Sequence, residues 1–108
     1  MVNCNYENFS CAGGYLMPSI DYLQTEGVVP RDCLPYKGEG DYCTYRCENG
    51  KVDNYVKHFC KVGSLHIATR REEIKKEIFL NGPMMMGLII YEDFMNYGGG
   101  VYKHVAGD

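Results

Sequence analysis

A chain of 108 residues with 45% apolar side chains and ten tyrosines has a folding composition and is the size of one small domain. Eleven Lys and Arg against fourteen Asp and Glu leave a net charge of −3 and no single-sign field, which argues against a nucleic-acid partner. The longest apolar run, residues 84–91, is too short to span a bilayer, and no charged-then-apolar leader opens the chain, so neither a membrane span nor a targeting segment is expected here.

In chain order, residues 1–14 read as irregular, because Asn3, Asn5, Asn8 and Ser10 favour turns while Cys4 and Cys11 supply anchoring points. A helix is predicted over 15–26, where Leu16, Ile20 and Leu23 fall at i, i+4 and i+7; Pro18 suits its first turn and Gly27 its end. Residues 33–47 are polar and glycine-bearing with little periodicity, a stretch that needs crosslinks. Residues 53–62 alternate as a strand, with Val56, His58, Cys60 and Val62 on one face. Thr69-Arg70-Arg71-Glu72 has the form of a capping box opening a second helix, which Asn81-Gly82-Pro83 ends. Residues 84–91 read as a strand buried on both faces, 92–100 as a turn, and 101–105 as a short strand. A composition shift near 48–50 marks the candidate boundary between two parts.

Six cysteines in so short a chain fit an oxidising compartment, with disulfides preferred over thiols or metal. The sequon Asn8-Phe9-Ser10 is compatible with a secretory route. A zinc set can be drawn from Cys43, Cys47, His58 and Cys60, but the C-x3-C-x10-H-x-C spacing is loose. His58, His66 and His104 read as structural rather than catalytic, and Cys60 as an inert thiol. Glu72, Glu73 and Glu77 lie among Arg70, Arg71, Lys75 and Lys76 and read as a solvated helix face, not an acid–base pair.

Three segments taken together resemble the papain family of cysteine peptidases, in its cathepsin B-like branch. They are Val2-Asn3-Cys4 with Cys11-Ala12-Gly13-Gly14-Tyr15; Cys33-Leu34-Pro35-Tyr36 with Cys43-Thr44-Tyr45-Arg46-Cys47; and Ile74, Glu77-Ile78, Asn81-Gly82-Pro83, Tyr91-Glu92-Asp93-Phe94 and Gly100-Val101-Tyr102-Lys103-His104-Val105-Ala106-Gly107. The resemblance implies an α+β, papain-like two-lobe fold present in part: residues 1–50 as the remainder of a helical, disulfide-linked left lobe, and 51–108 as part of a β-rich right lobe. It also implies disulfides Cys4–Cys43 and Cys33–Cys47, with the partner of Cys11 outside the chain, and a lysosomal, vacuolar or secreted location.

Function follows from the same resemblance. The family hydrolyses peptide bonds with a thiolate near the mature N-terminus, in a Cys-Gly-Ser-Cys-Trp-like segment, and His and Asn about 130–150 residues downstream. No such segment occurs here, and no tryptophan at all. No catalytic residue, no metal ligand and no cofactor is therefore expected within these residues, and the chain alone is expected to be inactive. Gly13, Gly14, Tyr15 and Gly87 are the expected substrate-binding residues: a Gly-Gly after an anchored Cys lets a peptide backbone approach, Tyr15 lines the neighbouring pocket, and Gly87 lies at its floor. The family more often has Asn where Ala12 stands. Only residues 34–42 separate Cys33 from Cys43, without the histidine-bearing insertion of cathepsin B, so the resemblance implies an endopeptidase. Its partners are a peptide or protein substrate and the remainder of the peptidase fold. The alternative is a non-catalytic component of this fold, structural or interacting, within a larger assembly.

Overall fold

The structure is a computed structural model and describes residues 1–48, 50 and 54–108. Asp53, where the expected strand over 53–62 begins, and residue 51, where the second lobe is expected to start, lie outside the described residues. The chain divides into two compact units, Met1–Ala68 and Thr69–Asp108.

In the first unit, helix α1 spans Leu16–Thr25. Pro18 sits in its first turn, where its missing N–H costs no intrahelical bond. The end of α1 requires glycine: Gly27 has φ +71°, and a Cβ there would lie 2.8 Å from the His58 carbonyl oxygen. Its N–H and that of Glu26 both donate to the Tyr22 carbonyl, 2.9 Å each, and satisfy an orphan acceptor of the last turn. Two disulfides close the unit. Cys4–Cys43 joins the opening loop to residue 43 across a sequence separation of 39, and Cys33–Cys47 closes a loop of separation 14. Cys33 and Cys47 are the buried apolar residues of the described chain, at 4% and 1% exposure. A crosslink thus sits where a small domain would otherwise place Leu or Val.

The predicted strand over 53–62 forms no ladder in its described part. His58 makes a single antiparallel bridge with Val28, through N–H···O bonds of 2.9 and 2.7 Å, and the Cys60 N–H donates to the Leu23 carbonyl at 2.9 Å. The available partner, Val28-Val29, runs into Pro30, which has no N–H to extend the pairing.

In the second unit, helix α2 spans Arg71–Asn81. The expected capping box does not form, and the N-cap lies one residue later. Arg70, not Thr69, takes the extended N-cap geometry, and no side chain caps a backbone N–H there. Instead the Arg70 guanidinium reaches forward to the Glu73 carboxylate, with Nε at 2.9 Å. An exposed i, i+3 ion pair thus stands in the turn where the reciprocal cap is expected. A short 3-10 turn, Glu92–Asn96, comes next. Residues 84–91 and 101–105, both predicted strands, carry no ladder among the described residues. Their apolar side chains are open to solvent: Met86 is 70% exposed and Ile89 74%. A strand buried on both faces needs a neighbour on each edge and each face, and no such neighbours are present among the described residues.

The total surface carries the same message. The chain exposes 9080 Å² for 12.3 kDa. One compact body of that mass exposes about 6,100 Å², and two separate bodies of these sizes about 7,300 Å². The excess, well over a thousand Å², is surface that folding has not covered, and exposed large apolar side chains such as Met86 and Ile89 belong to the exposed surface.

Candidate substrate-groove segment

Residues 8–19 form one hydrogen-bonded assembly in the first unit. A 3-10 turn at Ser10–Ala12 brings the chain round, with the Phe9 N–H donating to the Gly13 carbonyl at 3.0 Å and the Ala12 N–H to the Phe9 carbonyl at 2.9 Å. Each glycine of the pair has its own local reason. Gly13 has φ +107°, a conformation that an L side chain resists. Gly14 is held by space: a Cβ would lie 2.3 Å from Asn8 Oδ1 and 2.5 Å from its Cγ.

The Asn8 carboxamide anchors the start of α1. Its Oδ1 accepts the Tyr15 N–H at 2.7 Å, and its Nδ2 donates to Ser19 Oγ at 2.9 Å and to the Tyr15 carbonyl at 3.4 Å. Asn5, buried at 6% exposure, ties the same region together by donating to the Pro18 carbonyl at 3.3 Å and accepting the Glu7 N–H at 3.2 Å. Among the described residues nothing pairs with the Gly14 N–H or C=O. The sequence supplies the reason for the carbonyl: its i+4 partner is Pro18, which has no N–H. Tyr15 stands 69% exposed, edge-on to Phe9 with centroids 6.3 Å apart. Sequence inspection places Gly13, Gly14 and Tyr15 in this segment but misses Asn5 and Asn8 as its organisers. Both asparagines stand out only as turn formers, and no periodicity singles them out.

In the second unit, Gly87 lies exposed within 84–91. The polar focus there is Asp93. Its carboxylate accepts the Tyr102 hydroxyl at 2.5 Å, the Val105 N–H at 2.7 Å and the Ala106 N–H at 3.3 Å, and His104 Nδ1 lies 3.2 Å away. The Tyr102 hydroxyl first, then the Val105 amide, hold the Asp93 carboxyl well below the usual carboxylate range. Loss of hydration, with the bond to Asp93, pushes the Tyr102 phenol up to about 12. His104 stacks on Tyr91 at 3.9 Å, and Phe94 and Tyr97 flank Tyr102. A His beside a carboxylate has the outline of an oriented base, yet residues 69–108 contain no cysteine for it to activate. The arrangement is a clasp that fixes residues 102–106.

The other chemical candidates separate cleanly. Cys43 and Cys47 are committed to disulfides, so the zinc set drawn from the sequence has lost two of its thiolates. Cys11 and Cys60 are exposed thiols. His58 serves through its backbone, in the bridge to Val28. On α2, Lys75 pairs with Glu72 at 3.2 Å, and Asn81 donates to Glu77 at 2.7 Å, as on a solvated helix face. No helix among the described residues is long and apolar enough to cross a membrane.

Comparison with known families decides the lineage. A family model described as papain family cysteine protease matches residues 1–108. The chain belongs to the papain family of cysteine proteases. It is 34% identical to "Cathepsin B-like protease 1" of Arabidopsis thaliana over 92% of its own length and 30% of that protein's. It is 28% identical to "Cathepsin B" of Dictyostelium discoideum over 99% of its length and 39% of that protein's. With "Cathepsin B-like cysteine proteinase 3" of Ostertagia ostertagi the identity is 32%, over 95% and 59%. The chain therefore spans between about a third and three fifths of these relatives. Papain-family membership and the two disulfides fit a papain-like fold, and the disulfides are consistent with an oxidising, secretory-route location.

Proposed function

We propose that this chain is an internal segment of a papain-like cysteine endopeptidase, in which residues 13–15 line the substrate groove and Gly87 the floor of its adjoining pocket, while the nucleophilic Cys and its His lie outside these residues. The observation that carries the reading is the Gly14 backbone: a side-chain-free position whose N–H and C=O have no partner among the described residues is what an extended peptide needs to add itself strand-like. The uncovered apolar surface of 84–91 and of α2, where Ile78 is 50% and Phe79 88% exposed, supports a chain built to be covered by further parts of a two-lobe fold, including the β-rich right lobe whose strands pair once their neighbours are present. On this reading residues 1–50 belong to the left lobe and 51–108 to the right, and the parent travels a lysosomal, vacuolar or secreted route. Its substrates are peptides or proteins. No nucleic acid, metal or cofactor takes part.

The test uses the full-length gene product, assayed with a fluorogenic dipeptide and with peptides whose C-termini are free or blocked. Thiol-dependent cleavage that tolerates a blocked C-terminus supports an endopeptidase. Lack of turnover, with no labelling by a thiol-directed electrophile, supports instead a non-catalytic member of this fold with an interaction role.

A further inference from the structure

The sequon Asn8-Phe9-Ser10 and the Gly-Gly segment overlap in space, and the overlap gives Asn8 a task. A carboxamide has one acceptor oxygen and two N–H donors. Here the oxygen holds the N–H of Tyr15, the N-cap residue of α1, while the nitrogen holds its carbonyl and the Ser19 hydroxyl. One side chain thereby grips the same peptide residue from both of its backbone polar groups. The amide also fills the space over Gly14 in which a side chain would stand, so residue 14 stays side-chain-free while Asn8 holds this position.

We propose that Asn8 is the positioning residue of the 13–15 segment, setting the backbone that peptide substrates meet, and that its amide is committed to this role and carries no glycan in the folded protein. The inference rests on the groove reading of residues 13–15. A glycan on Nδ2 replaces one of the two N–H donors and needs open space on the side where Ser19 Oγ and the Tyr15 carbonyl lie. Asn8 is half-buried there. The sequon is thus a by-product of a structural Asn followed by a turn-forming Ser10, whose φ is +53°.

The experiment takes the full-length protein from a glycosylating secretory host, as wild type, Asn8→Ala, Asn8→Asp and Ser10→Ala. Three quantities are read: occupancy of Asn8 by peptide mass mapping, hydrogen–deuterium exchange at the Tyr15 amide, and kcat and KM on a fluorogenic dipeptide. Asn8 is expected to be unmodified. Asn8→Ala is expected to speed Tyr15 exchange about tenfold and raise KM about tenfold with kcat nearly unchanged, the scale of losing one or two hydrogen bonds. Asn8→Asp keeps the acceptor for the Tyr15 N–H and loses the donor, so it falls between. Ser10→Ala abolishes the sequon and is expected to match wild type in all three. Unchanged Tyr15 exchange in Asn8→Ala, or a glycan on Asn8 of the active protein, overturns the proposal. An inactive wild type overturns the groove reading alone, and exchange and occupancy then still decide the role of Asn8.

Discussion

Removing the Cys33–Cys47 disulfide as Cys33→Ala/Cys47→Ala tests how the first unit is held. The bond closes a loop of separation 14, and freeing a loop of that size in the denatured chain costs about 3 kcal/mol in the chain-entropy model. The bond Cys4–Cys43, of separation 39, has a predicted cost of about 4 kcal/mol, because closure entropy grows with the logarithm of loop length. Loss of the Cys33 and Cys47 sulfurs from their buried sites adds to the first figure and brings the two closer. The assay is guanidinium unfolding of the parent protein under non-reducing conditions, followed by tyrosine fluorescence. Expected is a loss of about 3 kcal/mol or more for each pair, the two agreeing to within about 1 kcal/mol. A loss below about 1 kcal/mol for either pair, or a cost for Cys4–Cys43 two or more times that of the other, would refute closure entropy as the main effect.

The remaining predictions concern other parts of the chain. Residues 1–108 expressed alone should show no thiol-dependent turnover of a fluorogenic dipeptide and no cooperative melt, given 9080 Å² of exposed surface; turnover abolished by Cys60→Ala or His104→Ala would place the chemistry inside the chain. Gly27→Ala should destabilise by at least about 1–2 kcal/mol, from the left-handed φ and a Cβ set against the His58 carbonyl; a neutral result in thermal unfolding would contradict glycine's role as the stop of α1. Because the folded Asp93 carboxyl is depressed, its contribution is present above its unfolded value of about 3.9 and is lost as pH falls through the folded value; the stability gap between wild type and Asp93→Asn should stay flat from about pH 7 to 5 and close only in stronger acid. Tyr102 has the opposite sign. With its folded pKa raised to about 12, its contribution is full below about 10 and fades between the two values, so Tyr102→Phe should flatten the alkaline limb of stability against pH.

Local features were legible in the sequence. The apolar spacing of Leu16, Ile20 and Leu23, with Pro18 early and Gly27 late, determined α1 to within a residue at each end, because helix hydrogen bonds are short-range and their stop signals are adjacent. The end of α2 at Asn81, before Gly82-Pro83, was readable for the same reason, and its start lies one residue beyond the expected Thr69 cap, at Arg70, with an Arg70–Glu73 ion pair and no capping box in that turn. The pairing of four cysteines is absent from the spacing itself, which allows several connectivities, and was supplied by family resemblance.

What only the tertiary structure decided are the properties that depend on distant partners. Alternation or an apolar run in 54–62, 84–91 and 101–105 states which residues could pair, but a ladder needs a neighbouring strand, and one bridge from Val28 to His58 is all that the described residues provide. The same holds for the site. Gly13, Gly14 and Tyr15 stand out by composition and motif, while the reason they hold one shape lies in Asn8, whose amide meets Tyr15 seven residues on and Ser19 eleven residues on. The clasp of Asp93 on Tyr102, Val105 and Ala106 spans nine to thirteen residues in the same manner. A polar side chain carries no periodic signature, so its partners are fixed only when the turns between them have closed.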